Sequence, residues 1–125
     1  MRVDSYFARL QKLVANCPFV ASWQYEEDIR TAALGSFKAR IGFIDGSFLD
    51  SREFVDTSVS PVHRYSYSYH YQKSDRMIFR YDSAPHHPEL ASFPHHKHLV
   101  GSTVESQPPN LKQVLAEISK LILCK

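Results

Sequence analysis

Apolar residues recur at helical spacing at the start of the chain. Tyr6, Leu10, Leu13 and Val14 predict a short amphipathic helix over residues 5–16, with Asp4 or Ser5 as its N-cap. Pro18 ends it, and the mixture of aromatic, β-branched and polar residues from Phe19 to Ile29 predicts a first strand. Residues 36–56 place Asp45-Gly46 between two alternating segments, the signature of a two-residue hairpin turn. With Ile44 opposite Ser47, the expected pairs are Phe43/Phe48 and Phe37/Phe54 on a core face and Lys38/Glu53 on the other. From residue 62 to 72 the alternation is strict: Tyr65, Tyr67, Tyr69 and Tyr71 share one face, and Arg64, Ser66, Ser68 and His70 the other. The strand Met77–Asp82 returns after a turn, in a register left open. A three-residue loop puts His70 beside Arg80, whereas a two- or four-residue loop puts Tyr69 there. Residues 99–106 read as a short edge strand. The last helix has the clearest stripe, Leu111, Val114, Leu115, Ile118, Leu121 and Ile122, behind a capping-box-like Asn110 and Gln113.

These elements predict an α+β domain over residues 1–125: an N-terminal helix, an antiparallel meander of four to five strands, and a C-terminal helix packed on the sheet. Helices on one face leave the other for a ligand. With 43% hydrophobic and 22% charged residues, the 125-residue chain has the composition of a single globular domain. A formal charge of +2 does not by itself indicate a strongly electropositive nucleic-acid binder, but seven histidines add fractional positive charge near neutral pH. Two cysteines, Cys17 and Cys124, without a CxxC, read as reduced thiols. Neither a signal core nor an apolar run near the ~18 residues of a membrane span is seen, so a soluble cytoplasmic protein without membrane contact is expected.

Five of the seven histidines fall between Ser83 and His98, among prolines 85, 88 and 94. As metal ligands, His86, His87, Glu89, His95, His96 and His98 are competent. Neighbours on an extended chain point to opposite sides, so one of each adjacent pair can join a site, and His96 can share one with His98. No HExxH accompanies them. The other reading is acid/base work on RNA, whose 2′-hydroxyl is its own nucleophile: a base, an acid and a cation for the phosphorane suffice. His70, Arg80, Tyr81, His86, His87 and His95 to His98 supply those groups, and the tyrosine stripe can stack bases. Against this stand blander readings. A tyrosine stripe is more often half-buried core, Lys38, Arg40 and Glu53 a solvated face, and Arg80 with Asp82 a structural pair. Prolines with polar histidines also make a stiff connector.

Ile44-Asp-Gly-Ser47, Arg52-Glu-Phe-Val-Asp56, Tyr67-Ser-Tyr-His-Tyr-Gln72 and the long run Phe79–His98 resemble the TumE family of small prokaryotic toxins over nearly the full chain. The resemblance implies a toxin of a toxin-antitoxin system, acting on RNA and paired with a cognate antitoxin that carries a DNA-binding helix-turn-helix. The family more often has Asn where Ser83 stands and Pro-Thr in place of Ala91-Ser92. The leading expectation is a metal-independent endoribonuclease without cofactor. His70, Arg80, Tyr81, His86, His87, His95 and His96 are its candidate catalytic residues, and Arg80, Lys97, His98 and Tyr69 its substrate contacts. The alternatives are a non-catalytic RNA- or protein-binding module and a metal-dependent hydrolase using the histidine loop. A homodimer through the sheet edge or the last helix is a further reading.

Overall fold

The computed structural model describes residues 1–83 and 90–124. Its elements are α1 (Val3–Ala15), β1 (Val20–Ile29), β2 (Leu34–Phe43), β3 (Ser47–Asp56), β4 (His63–Lys73), β5 (Arg76–Asp82), β6 (His96–Leu99), β7 (Ser102–Glu105) and α2 (Leu111–Leu123). All strands pair antiparallel with their sequence neighbours in one sheet, ordered β1 to β7. The α+β class and the two flanking helices match expectation. The strand number does not: among the described residues there are seven, not four or five. The histidine-rich stretch ends in extended chain, His96–Leu99, which turns at Val100-Gly101 into Ser102–Glu105, with Gly101 at φ 79°. The edge strand expected over residues 99–106 is present as Ser102–Glu105, whereas His96–Leu99, at four residues, carries too little alternation to stand out in a sequence.

Both helices cover one face. Phe7 and Leu10 of α1 and Leu111, Val114 and Ile118 of α2 are buried with Phe37, Ile41, Leu49, Val55, Tyr69 and Phe79 of the sheet. Helix α1 begins two residues earlier than expected and lacks a side-chain cap, because Val3 is buried and its N–H bonds Ala32 O at 2.7 Å. Helix α2 has the expected capping box: Gln113 N–H donates to Asn110 Oδ1 (2.8 Å) and Asn110 N–H to Gln113 Oε1 (2.9 Å). Among the described residues, no helix is long and apolar enough to cross a membrane.

The β2–β3 register differs from expectation by one residue. The loop has three residues, 44–46: Gly46 N–H bonds Phe43 O at 3.0 Å, and Gly46 sits at φ 84°, so the turn closes through a left-handed glycine rather than a two-residue Asp-Gly turn. The pairs are therefore Ile41 with Leu49 and Phe37 with Glu53. A one-residue slip exchanges faces. Phe48 and Phe54 join the uncovered face, while Glu53 turns under the helices and is 3% exposed.

Besides a register shift between Val20 and Ser22 in β1, two bulges position the site. One lies opposite Phe54 and Val55 in β4, where Tyr65 is the extra residue; Tyr67, Tyr69 and Tyr71 face the helices, whereas Tyr65 stays exposed against Phe54. Arg64 consequently crosses to the tyrosine side, where its guanidinium lies over the Tyr67 ring. The other bulge follows Tyr71, and with the two-residue turn Ser74-Asp75 it places His70 opposite Arg80. That pairing was expected from a three-residue loop; a shorter turn plus a bulge achieves it.

Gly35 in β2 lies where α1 meets the sheet, and a methyl group there would sit 2.8 Å from Asp28 O and 3.3 Å from Phe7 Cε2. The clash is with backbone, so Gly35→Ala is expected to lower unfolding free energy in urea by about 1–3 kcal/mol. An unchanged midpoint would show that α1 does not pack this closely.

Candidate functional site

On the face opposite the helices, β4, β5 and β6 bring His70, Arg80, Asp82, His96 and His98 together through cross-strand pairs: His70 with Arg80, Arg80 with His98, and Asp82 with His96. Asp82 is the hub. Its Oδ1 lies 2.8 Å from His96 Nε2, and its Oδ2 lies 3.0 Å from Arg80 Nε and 3.4 Å from His98 Nε2. The Asp82 side chain is 6% exposed and that of His96 1%, against 27% for His98 and 43% for Arg80, so two members are interior and two meet solvent. His96 Nδ1 lies 2.9 Å from Pro94 O. A carbonyl only accepts, so this nitrogen carries the proton. His98 Nδ1 meets Thr103 Oγ1 at 3.2 Å. Lys38, Arg52, Phe54, Ser66 and Ser68 line the adjoining groove with Arg80 and Asp82.

The other predicted residues are dispersed. Tyr81 and Lys97 face α2, where Glu117 accepts from Tyr81 Oη at 2.6 Å and from Lys97 Nζ at 2.8 Å. Burial and the Glu117 hydrogen bond raise the Tyr81 pKa; for Lys97, burial pulls downward, but Glu117 and Tyr81 outweigh it and the net shift is upward. Lys97 is thus on the opposite face from Arg80 and paired with a carboxylate. Tyr69 is fully buried with its hydroxyl on Glu53, so it presents no surface to a ligand. His95 stacks on Tyr67, with Nδ1 2.9 Å from its hydroxyl; burial, Arg64 and His96 lower its pKa. His95 and His96 therefore point to opposite sides, as extended chain requires. His86, His87 and Glu89 lie outside the described residues.

The family profile described as Toxin TumE matches residues 10–122, from within α1 through all seven strands to the penultimate residue of α2. The chain belongs to the TumE toxin family. Membership supports a toxin role and implies an antitoxin partner. No curated protein and no solved structure matches this chain.

Two parts of this TumE-family chain escaped the sequence reading. Asp82 was seen as a partner for Arg80 but not as the hub, although its spacing of two from Arg80 puts both on one face. Glu53 was placed on the solvated face, yet it accepts from Tyr6 Oη and, at 2.8 Å, from Tyr69 Oη, while Arg64 Nη1 donates to Tyr69 Oη at 2.9 Å. No local signal reveals that network, because it follows from a register slip and a bulge. Burial raises the Glu53 pKa, while hydrogen bonds from Tyr6 and Tyr69 and the Arg64 charge oppose the rise.

A carboxyl whose folded pKa is raised loses its proton first in the unfolded chain. Its contribution therefore favours folding less as pH climbs from the ordinary glutamate value through the raised value. The groups facing Glu53 are Tyr6 of α1 and Tyr69 and Arg64 of β4. Denaturation of wild type and Glu53→Gln across pH is expected to show the difference moving in favour of glutamine as pH rises. Movement the other way would mean that Tyr6, Tyr69 and Arg64 more than compensate for burial.

Proposed function

We propose that this toxin is an endoribonuclease that lays single-stranded RNA across the uncovered face and cuts it beside the β4–β5 pair. The observation that carries the reading is His70 opposite Arg80, an imidazole next to a guanidinium on a face with further cations. Gln72 Nε2 donates to Ser74 O at 2.9 Å, which turns Gln72 Oε1 toward His70 Nε2, also at 2.9 Å. An amide oxygen only accepts, so His70 keeps its proton on Nε2 and offers the Nδ1 lone pair as a base.

In this mechanism His70 takes the 2′-hydroxyl proton, and Arg80 holds the phosphate and stabilises the charge that develops on the phosphorane. The attack forms a 2′,3′-cyclic phosphate and releases a 5′-oxygen, which needs a proton. His86 and His87, four and five residues after Asp82, are assigned that acid role. The nucleophile belongs to the substrate, so these steps require no metal. Lys38 and Arg52 contact flanking phosphates, and Tyr65 with Phe54 stacks a base. The assignment separates Arg80 from Lys97, which lies on the opposite face against Glu117 of α2.

Purified toxin is expected to cut single-stranded RNA in the presence of chelator and to leave 2′,3′-cyclic phosphate ends. His70→Ala, Arg80→Ala and the double change His86→Ala/His87→Ala are each expected to slow cleavage by roughly 100-fold or more. Growth arrest by toxin that leaves RNA intact would support a non-catalytic binding module. Unchanged cleavage by Arg80→Ala would move the site off this face.

A further inference from the structure

We infer that Asp82, His96 and His98 form a binding site for one zinc-like divalent transition-metal ion. Their three ligand atoms lie within 4.8 Å of one another, on adjacent strands that hold them in place. The donors are two imidazole nitrogens and one carboxylate oxygen, the set that suits Zn²⁺, Co²⁺ or Ni²⁺; with a single oxygen it suits Mg²⁺ or Ca²⁺ poorly.

The second nitrogens of the two rings support the same site. His96 Nδ1–H donates to Pro94 O, so Nε2 is the ring atom turned to Asp82 Oδ1, 2.8 Å away. His98 repeats the arrangement, with Nδ1 on Thr103 Oγ1 and Nε2 toward Asp82. Back nitrogens held by a carbonyl or hydroxyl while the front nitrogens converge are the outer support that metal-binding histidines generally have. Interior His96 and Asp82 anchor the ion, and the part-exposed His98 leaves a route in from solvent. Arg80 beside Oδ2 repels a cation, so the fit is to an ion bound mainly through Oδ1 and the two nitrogens.

Such an ion would clamp β5 to β6 beside Arg80. The site is independent of the RNA reading, because the side chains bind metal whether or not RNA is cut. The test uses the full chain, stripped with chelator and titrated with Zn²⁺ by calorimetry and with Co²⁺ by visible absorption. One saturable equivalent and a raised thermal midpoint are expected, with affinity falling roughly tenfold or more in His98→Ala and in Asp82→Asn. In case those variants unfold, nitrogen-detected imidazole spectra of wild type provide a second reading: Zn²⁺ should shift Nε2 of both His96 and His98. Absence of saturable binding, undiminished affinity in folded His98→Ala, or imidazole shifts confined to other histidines would each overturn the site.

Discussion

Asp82 is a carboxylate taken almost entirely out of water, and such a charge persists only where cations and donors replace its hydration. Arg80 from its own strand and His96 and His98 from the next do so. The same contacts tie β6 to the main sheet. Remove the charge and three basic side chains lose the group they converge on; keep it and they form a compact patch at the end of β5. A paired buried charge is weak evidence for stability, so the cluster is better understood as fixing geometry than as holding the fold together.

Stability comes from the other face. Helices α1 and α2 bury a continuous apolar layer against the sheet, and Glu53, an acidic group within it, is held by two tyrosine hydroxyls. Placing both helices on one face leaves much of the second without an apolar layer. Cations, serines and a few aromatics can collect there without a folding penalty, and strand alternation delivers them in rows.

Much of the fold was legible because it rests on local periodicity and capping: α1, α2 and the five longer strands follow from apolar spacing, turn residues and the Asn110–Gln113 box. What failed was anything decided by a single residue of register. Asp45-Gly46 marked the β2–β3 turn, but nothing local distinguished a two-residue turn from a three-residue one with Gly46 left-handed, and that choice moved Glu53, Phe48 and Phe54 across the sheet. The bulge at Tyr65 likewise carried Arg64 to the tyrosine side. At the site, alternation rightly separated His95 from His96 and joined His96 to His98. It could not say that Lys97 would find Glu117 on α2, which is twenty residues further along the chain.

The sheet thus has a structural side and a chemical side, and the account stands or falls on RNA meeting the second. The most direct measurement is nuclear magnetic resonance mapping of the toxin with a single-stranded RNA whose 2′-hydroxyl at the cut site is replaced by hydrogen, so that it binds but cannot react. Shifts are expected in the side chains of His70, Arg80, Arg52 and Lys38, with Lys97, Tyr81 and Arg64 undisturbed. Shifts centred on Arg64, Tyr67 and His95, with the Arg80 side silent, would contradict it.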